Sequence, residues 1–252
     1  MNACLIVDLG LISYTDGYGL QQRAVAARKT GAIEDVLLLC EHPHVITLGR
    51  NGKRENLLAS EHVLRQKGVE FHASNRGGDI TYHGPGQIVG YPILNLAGMK
   101  TDVHWYVRTL EEAMIRASAD FGVTAFRIPG KTGIWVKTES KDGVSEEKLA
   151  AIGVHISRWV TSHGFAYNVA TDLRYFDLIV PCGISDRKAT SLEKLLSRNV
   201  SLSEVKPRLI NHMAELFSLS PRLASREELL AHLTRSEASP LPATEAGAVE
   251  KA

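Results

Sequence analysis

The sequence predicts an α/β (α+β) protein in which a mixed β-sheet is flanked by helices. Short apolar runs bounded by turn residues alternate with amphipathic stretches, which is the pattern of a sheet covered by helices. Several apolar runs follow one another with only turns between them, which favours an antiparallel or mixed sheet over strict βαβ alternation. Hydrophobic residues make up 44% and charged residues 23% of the 252 positions, so a disordered, collagenous or membrane-embedded chain is excluded.

Eight apolar runs are predicted as strands, at residues 3–9, 35–41, 69–73, 87–94, 124–127, 133–137, 148–157 and 163–170. Six amphipathic stretches are predicted as helices, at residues 19–29, 61–67, 103–121, 191–198, about 202–217 and 226–234. Capping residues mark four of the helix starts: Asp102, Thr190 paired with Glu193, Ser201 or Ser203, and Ser225 paired with Glu228.

The chain shows no linker that divides it into independent halves, so we predict a single catalytic domain over residues 1–235. The segment after about residue 178 is more helical, and a subsidiary lobe there is the alternative. Residues 138–147 are polar and charged and are interpreted as a surface hairpin loop. Residues 236–252, rich in Ala, Glu, Pro and Ser, are predicted to be a disordered tail.

Charge and cysteine content indicate a cytoplasmic protein without a nucleic-acid or membrane partner. The 29 basic and 28 acidic residues give a net charge of +1, so electrostatic recognition must be local. No stretch approaches the roughly 20 apolar residues that span a bilayer, and the N-terminus lacks the basic start of a signal peptide. The three cysteines, Cys4, Cys40 and Cys182, have no metal-type spacing and are odd in number, which favours a reducing compartment.

The segment from residue 76 to 87 has four glycines and a proline beside an apolar strand: Arg76-Gly77-Gly78-Asp79-Ile80-Thr81-Tyr82-His83-Gly84-Pro85-Gly86-Gln87. Glycines allow positive φ and leave amide groups uncovered, so such a loop can bind a phosphate, a carbonyl oxygen or an extended chain. A β-turn with a bulge is the alternative. The segment matches neither the Walker loop nor the dinucleotide fingerprint, which disfavours simple nucleotide binding.

Cys182 is the nucleophile candidate among the cysteines. Cys4 and Cys40 lie within apolar runs typical of a core, whereas Pro181 and Gly183 place Cys182 at a loop. An inert buried thiol is the alternative interpretation.

A nucleophilic thiol needs a base or a cation nearby, because an unperturbed cysteine has a pKa of about 8.5. The candidates are His83, His163 and Lys148, which opens a predicted strand of small and apolar residues. For the lysine, a solvated surface role is the alternative.

Cys40, His42 and His44 stand two residues apart, a spacing that suggests a metal site if they share one face of a strand. Pro43 interrupts the strand geometry, and no second pair of ligands accompanies them. We therefore predict no metal site.

Four segments, in this order, closely resemble the lipoyl(octanoyl) transferase family. They are the 76–87 segment, Lys148-Leu149-Ala150-Ala151-Ile152-Gly153, His163-Gly164-Phe165-Ala166 with Asn168, and Val180-Pro181-Cys182-Gly183. The resemblance runs from about Leu5 to Phe217, and it includes Glu41-His42-Pro43 with Thr47-Leu48-Gly49-Arg50. The polar stretch 138–147 and the tail depart from the family pattern without touching a motif.

The resemblance implies a fold like that of biotin protein ligases and lipoate-protein ligases. It implies an acyl-thioester nucleophile at Cys182 and a tuning lysine at Lys148. It also implies acyl-substrate contacts from Arg76, Gly77, Gly78, Asp79, Ile80, Thr81, Tyr82, His83, Ala151, Ile152, Gly153, Gly164, Phe165 and Ala166.

The function that the resemblance implies is transfer of an octanoyl or lipoyl group in protein lipoylation. The donor is an acyl carrier protein, and the acceptors are lysines of the lipoyl domains of 2-oxoacid dehydrogenase complexes and of the glycine cleavage H protein. No cofactor or metal is expected, because a thioester already carries the activation energy of the acyl group.

Two details of this function stay open at the level of sequence. Lys148 acts either as a cation that lowers the pKa of the cysteine or as a neutral base, and His83 is expected to position the acyl-binding loop. The acidic carrier is expected to dock on a basic run of Arg50, Lys53, Arg54, Arg65 and Lys67.

Two alternative functions remain. An ATP-dependent lipoate-protein ligase or a lipoyl amidotransferase would share the fold, and the ligase would not need Cys182. A non-catalytic acyl-binding module would keep the glycine-rich segment as a pocket and leave Cys182 unmodified.

Overall fold

The computed structural model describes residues 1–140, 143–180 and 188–238. The strands are β1 (Asn2–Leu11), β2 (Asp35–Glu41), β3 (Val45–Leu48), β4 (Glu70–Ala73), β5 (Ile80–His83), β6 (Gln87–Ile93), β7 (Ala125–Ile128), β8 (Lys131–Ser140), β9 (Gly143–Ser157), β10 (Val160–Asn168) and β11 (Leu219–Ala224). The helices are α1 (Tyr14–Lys29), α2 (Glu61–Gln66), α3 (Val103–Ala119), α4 (Leu192–Leu196), α5 (Leu202–Phe217) and α6 (Arg226–Ala238). Short 3₁₀ helices cover Arg54–Asn56, Leu96–Gly98 and Leu173–Leu178.

Eight strands form the main sheet in the order β11-β1-β2-β6-β10-β9-β8-β7. β1 is parallel to both β11 and β2, and the other neighbours in this sheet are antiparallel. Strands β4, β3 and β5 form a separate small sheet, in which β3 is parallel to β4 and antiparallel to β5. The mixed sheet flanked by helices confirms the predicted fold class.

Helices cover both faces of the main sheet, which explains why β2 is apolar without a polar alternation. Leu37 and Leu39 belong to the core that contains residues of α3 and α5. The intervening Val36, Leu38 and Cys40 belong to the core that contains residues of α1 and α6. Because side chains alternate along a strand, the first set lies on the face covered by α3 and α5, and the second set lies on the face covered by α1 and α6.

A third cluster packs behind the small sheet and includes Ile46, Ile80 and Tyr82. Ile179 also belongs to this cluster, so the chain that approaches residue 182 is held against the small sheet. The third cluster therefore fixes the position of the small sheet beside the main one.

All eight predicted strands are present, and the structure adds β3, β5 and β11. β3 and β5 have four residues each, and β5 lies inside the glycine-rich segment, whose glycines and proline indicated a loop. β11 carries Pro221 and a mostly exposed face at the edge of the main sheet, a position that tolerates proline.

The predicted hairpin loop at residues 138–147 is wrong, since most of it is strand. β8 and β9 continue to pair through Thr138 and Ser145 as far as Ser140 and Gly143, and residues 141–142 lie outside the described residues. The segment is polar because this part of the β8–β9 ladder projects beyond the core, where most of its described side chains are exposed to solvent. As a result Lys148 lies inside β9 and does not open it.

Asp102 and Ser201 cap α3 and α5 as predicted, and Glu204 completes a capping box with Ser201. The Oγ of Ser225 accepts from the backbone N–H of Glu228 at 3.1 Å. The predicted pair of Thr190 and Glu193 is wrong, because Ser191 caps α4 through the backbone N–H of Lys194.

Helix α6 continues to Ala238, so residues 236–238 belong to a helix and not to the predicted tail. The carboxylate of Glu237 lies 2.7 Å from Nε of Arg23 on α1, which ties this last turn to the body. Residues 239–252 lie outside the described residues.

The helical segment after residue 178 packs into the main core. Val205, Leu209, Met213 and Phe217 of α5 are buried in the same cluster as α3. The alternative of a subsidiary lobe is thus not supported over the described part of that segment. No helix among the described residues is long and apolar enough to cross a membrane.

We expect Leu209→Ala to lower the free energy of unfolding by about 2–5 kcal/mol in a single cooperative transition, because Leu209 is fully buried in the shared core. Urea unfolding followed by circular dichroism measures this change. Leu223→Ala, at a residue 78% exposed, is the control and should change stability by less than about 0.5 kcal/mol. Two separate transitions in the Leu209 variant would show that α5 belongs to an independent lobe.

Candidate active site

A cavity of about 410 Å³ lies between strands β6, β9 and β10 of the main sheet and the segment that carries β5. Its apolar lining includes Val89, Trp135, Ile152, Val154 and Phe165. Along β9 it follows the chain from Lys148 to Val154, a distance of about 20 Å at the usual rise of a strand. A long, mostly apolar cavity with a cation at one end suits an unbranched acyl chain with a polar head.

The glycine-rich segment closes this cavity through a close backbone contact with β9. The N–H of Gly77 donates to the carbonyl of Val154 at 2.9 Å. A Cβ atom on Gly153 would come within 2.7 Å of the carbonyl oxygen of Gly77, closer than two such atoms can approach. Glycine is therefore required at 153 so that the two chains can cross.

A second pair of glycines makes room for an aromatic ring in the cavity wall. Phe165 on β10 lies opposite Gly90 on β6, and a side chain at Gly90 would occupy the place of the Phe165 ring. A side chain at Gly164 would in turn clash with the backbone carbonyl of Gly90. These glycines let the ring lie flat over the sheet.

A buried polar chain runs from Arg76 to Asn168 along the wall. Nε and Nη2 of Arg76 donate to Oγ1 of Thr47 at 3.2 and 2.9 Å, and Oγ1 of Thr47 lies 3.3 Å from Nε2 of His83. Nδ1 of His83 donates to Oε1 of Gln87 at 2.7 Å, and Nε2 of Gln87 donates to Oδ1 of Asn168 at 2.9 Å. Each of these side chains forms a hydrogen bond with the next one. The hydrogen-bonded series therefore fixes one arrangement of the glycine-rich segment.

The imidazoles in this wall are neutral at pH 7. Burial, assisted by the nearby His42 and Arg76, lowers the pKa of His83 to about 3. Burial, assisted by Arg76 and His155, lowers the pKa of His163 to about 3. Because both nitrogens of His83 face protein partners, this residue is poorly placed to accept a proton from a substrate.

His163 adopts a left-handed backbone conformation with φ of 55°, which is unusual for a residue with a side chain. Its backbone N–H donates to Oε1 of Gln21 at 2.6 Å, and its Nε2 lies 2.6 Å from Oδ1 of Asn75. Two partners from outside β10 thus hold it at the cavity.

Lys148 lies at the other end of the cavity. Its Nζ is 4.7 Å from the centre of the Trp135 ring, which lies opposite on β8. Its backbone N–H donates to the carbonyl of Lys188 and its carbonyl accepts from Thr190, both at 2.9 Å. The backbone of Lys148 thereby holds the chain directly after residue 187.

Asp79 holds the chain on the other side of the undescribed stretch 181–187. Its Oδ2 accepts from Nδ2 of Asn56 at 2.6 Å, and the carbonyl of Asn56 accepts from the N–H of Val180 at 2.7 Å. Leu57 also forms an isolated bridge with Ile179. Cys182, the predicted nucleophile, lies outside the described residues, but Phe176 and Lys188 on its two sides both line the cavity.

The structure brings together most of the residues that the resemblance implied for the acyl substrate. Lys148 lines the same cavity as Arg76, Gly77, Gly78, Asp79, Ile80, Thr81, His83, Ala151, Ile152, Gly153, Gly164, Phe165 and Ala166. Tyr82 is the exception, because its side chain points into the third cluster. Its hydroxyl lies 2.7 Å from Nδ1 of His44, and its ring stacks on that of Tyr175.

Several residues of the site were missed in the sequence. Trp135 gave no signal beyond an apolar strand, and Asn56 lies in a short 3₁₀ helix without a motif. Thr47 and Gln87 lay within recognised motifs but were given no role. Gln87 is the last residue of the glycine-rich segment, so a search of that segment for polar side chains would have found it. No group of three or more metal-ligating side chains occurs within the described ranges.

The fold is that of a known class of catalytic domain. Residues 13–214 match the family of lipoyl protein ligase A/B catalytic domains. The bipartite lipoate protein ligase from Thermoplasma acidophilum superposes with a TM-score of 0.69 at 18% identity, over 93% of this chain and 91% of that one. Lipoate-protein ligase A bound with ATP superposes with the same TM-score at 16% identity, over 93% of both chains.

Relatives with high sequence identity show which family within this class the chain belongs to. The octanoyltransferase of Solibacter usitatus is 54% identical over 86% of this chain and 94% of its own length. That of Acidobacterium capsulatum is 58% identical over 75% of this chain and 78% of its own length. The chain belongs to the octanoyltransferase family within the lipoyl protein ligase A/B class.

We expect Asp79→Asn to loosen the chain on the approach to residue 181, because the carboxylate accepts from Nδ2 of Asn56 on one oxygen and from the backbone N–H groups of Lys53 and Ile80 on the other, whereas an amide has only one acceptor oxygen. The loss of hydrogen bonds to a charged group costs about 1.5–3 kcal/mol. Hydrogen exchange measured by mass spectrometry should show faster exchange in peptides covering residues 53–60 and 176–180. Asp102→Asn, at the cap of α3, is the control, and unchanged exchange in both peptides would contradict the role of Asp79.

We expect stability to fall below pH 6.5, because His83 and His163 are buried and their folded-state pKa values are lowered. Between about pH 3 and 6.5 the unfolded chain binds more protons than the folded one, so acid favours unfolding. The loss is about 1.4 kcal/mol per pH unit for each histidine. Urea unfolding at pH 7 and pH 5 measures it.

The matched variants test the source of this pH dependence. His83→Gln should reduce the loss of stability between pH 7 and pH 5, whereas His62→Gln, at an exposed residue, should leave it unchanged. An equal loss in wild type and His83→Gln would contradict the assignment.

Proposed function

We propose that the protein transfers an octanoyl or lipoyl group from an acyl carrier protein to a specific lysine of a lipoyl domain. The acceptors are the lipoyl domains of 2-oxoacid dehydrogenase complexes and the glycine cleavage H protein. One observation carries the proposal: the apolar cavity that ends at Lys148, in a chain whose close relatives are octanoyltransferases.

The acyl chain lies in the cavity with its carbonyl toward Lys148 and its methyl end toward Val154. Each buried CH₂ contributes about 0.8 kcal/mol to binding, so the apolar walls supply most of the affinity for an eight-carbon chain. Phe165 and Ile152 form part of these walls. Arg76 and His83 form hydrogen bonds with Thr47 and Gln87, so they need no polar partner on the acyl chain.

The first step is attack of the Cys182 thiolate on the carrier-bound thioester. The new bond joins the cysteine sulfur to the acyl carbonyl, the bond to the carrier sulfur breaks, and the carrier thiol leaves. One thioester replaces another, so the activation energy of the acyl group is retained.

In the second step the ε-amine of the acceptor lysine attacks the acyl-enzyme. An amide forms, the Cys182 thiolate leaves, and the amine loses one proton. Since an amide is more stable than a thioester, neither ATP nor a metal ion has to take part.

Lys148 is the group that handles the charge in both steps. Its Nζ lies 4.7 Å from the centre of the Trp135 ring, whose face attracts a cation. The ammonium stabilises the Cys182 thiolate before the first step. In the first step Lys148 gives its proton to the departing carrier sulfur, and in the second step the neutral Lys148 accepts a proton from the incoming amine, which restores the ammonium beside the released thiolate.

Three residues considered from the sequence take supporting roles. The N–H of Gly77 donates to Val154, so this amide does not form part of an oxyanion hole. His83 orients the loop through Gln87 and Thr47 and is not the general base. Tyr82 supports the chain that approaches Cys182 and does not contact the acyl group.

We expect intact mass spectrometry to detect one octanoyl group on the wild type after mixing with octanoyl-acyl carrier protein without ATP. Cys182→Ala should gain no adduct, and Lys148→Arg should be acylated at least about tenfold more slowly, because a guanidinium keeps its proton and cannot give it to the departing carrier sulfur. An apo lipoyl domain should discharge the adduct and gain its mass.

The outcome also separates the alternatives. Modification of the lipoyl domain that requires ATP and free acid and survives in Cys182→Ala would indicate a ligase. Transfer from an acylated lipoyl domain in preference to the carrier would indicate an amidotransferase. Binding of octanoyl carrier without an adduct on either protein would indicate the non-catalytic module.

A further inference from the structure

A β-bulge lies in β9 at the position of Lys148. Ile134 of β8 pairs with Ala150 of β9, but the next residue of β8, Trp135, pairs with Lys148. Leu149 is thus one extra residue in β9 at this point of the ladder. Bulges are common beside active sites, where they change the direction in which a side chain points.

The bulge determines on which face of the sheet Lys148 lies. In a regular strand Lys148 would share the face of Ala150, two residues further along. Ala150 and the consecutive Leu149 both belong to the core that contains residues of α3 and α5. With the extra residue, Lys148 shares the face of Trp135 instead, and both residues line the cavity. A regular ladder would therefore turn Lys148 away from the reactive end of the cavity.

β8 is irregular beside the bulge, and a carboxylate from α3 reaches it there. The register of β8 against β7 shifts over residues 131–135. Gly133 lies within this stretch with a φ of 109°, and a side chain on it would clash with the carbonyl oxygen of Ala150. The N–H of Gly133 donates to Oε1 of Glu111 at 3.0 Å. Glu111 therefore contacts the backbone of β8 where this strand changes register against both of its neighbours.

Glu111 is fully buried, and two arginines balance its charge. Its Oε2 accepts from Nη1 of Arg108 at 2.7 Å and from Nε of Arg127 at 3.1 Å. Arg108 belongs to α3, as Glu111 does, and Arg127 belongs to β7. Because both carboxylate oxygens accept hydrogen bonds, a movement of Gly133 away from α3 breaks a charge-assisted bond. The glutamate thus joins α3, β7 and β8 beside the bulge.

We propose that Glu111 is a positioning residue that keeps the bulge in place and thereby holds the ammonium group of Lys148 at the reactive end of the cavity. Glu111 acts on the reaction through Gly133 and the register of β8 against β9. This inference rests on the proposed function, in which the ammonium of Lys148 stabilises the Cys182 thiolate.

The test measures the rate of alkylation of Cys182 by iodoacetamide as a function of pH. Only the thiolate reacts, and peptide mass spectrometry separates Cys182 from the buried Cys4 and Cys40. The midpoint of this pH profile should rise when Lys148→Ala removes the cation, because a nearby positive charge lowers the pKa of an acid by about 1–3 units.

We expect Glu111→Gln to raise the midpoint by at least about half a pH unit, a part of the effect of Lys148→Ala. An amide has one acceptor oxygen, so its NH₂ group must face either the two arginines or the N–H of Gly133. Acylation by octanoyl-acyl carrier protein at pH 7 should slow by about tenfold or more, because a small misplacement of a reacting group lowers the rate. The KM for the carrier should change less than about threefold, since the acyl walls stay in place.

A double variant identifies the route by which Glu111 acts. Glu111→Gln should add no further shift of the midpoint in protein that already carries Lys148→Ala, because the group that it positions is then absent. Glu111→Asp provides a second variant in case Glu111→Gln does not fold. It keeps the charge for the arginines but shortens the reach to Gly133 by one methylene, so the midpoint should again rise.

Two controls separate this role from a general loss of stability. Glu112→Gln removes a carboxylate that is 31% exposed and accepts from Nη2 of the same Arg127 at 2.6 Å. Asp35→Asn changes a buried carboxylate on β2 that accepts from Nε of Arg28 at 2.7 Å and from the backbone N–H of Asn95 at 2.8 Å. Both should leave the midpoint unchanged. Circular dichroism at the assay temperature checks that each variant is folded.

Three results would overturn the proposal: an unchanged midpoint in folded protein with a substitution at Glu111, an equal rise in either control, or a shift that adds in full to that of Lys148→Ala. Failure of the proposed function would show separately, as the absence of an octanoyl adduct on the wild type.

Discussion

The close contact between Gly77 and β9 is the constraint on which the site depends. The hydrogen bond from Gly77 to Val154 places the glycine-rich segment across the main sheet and leaves the cavity between them. Gly153 allows the contact because it has no side chain to separate the two backbones. Everything attached to the segment, from the neutral His83 to the Asp79 carboxylate, takes its position from this crossing.

The polar chain behind the crossing uses buried groups for orientation and not for charge. Arg76 is the one permanent cation in it, and its donors are directed to Thr47 and to the carbonyl of Gly77. The neighbouring imidazoles stay neutral because a second buried charge beside Arg76 would be costly. Lys148 lies at the reactive end of the wall, which agrees with a mechanism in which lysine and not histidine moves the proton.

Most strands of the main sheet could be predicted from the sequence, but the order in which they pair could not. Strands with five or more apolar residues were predicted because burial on both faces makes them continuous in sequence. β3 and β5 were missed although β4 and β7 are equally short; β5 lies among glycines that indicated a loop, and it pairs with β3 in the small sheet. The polar ladder at 138–147 was misread because hydrophobicity reports burial, whereas pairing depends only on the backbone.

The site was predictable to the extent that its residues lie in continuous motifs. Lys148, Ala151 and Phe165 were recognised in this way and meet in the cavity. Tyr82 lies in the glycine-rich segment and was expected to contact the acyl group. Strand alternation instead turns its side chain away from the face that Thr81 and His83 present. Trp135 and Asn56 act through contacts between distant segments, which a motif does not record.

The backbone of Lys148 links the chemistry to the path of the chain. Its N–H and carbonyl hold Lys188 and Thr190, while Asn56, itself held by Asp79, holds Val180. The stretch with Cys182 is therefore tied at one end to the lysine's own strand and at the other to the glycine-rich segment. Because β9 also contacts that segment at Val154, both ties belong to one rigid unit. A substitution that displaces the glycine-rich segment should therefore move the chain at Val180 together with the wall of the cavity.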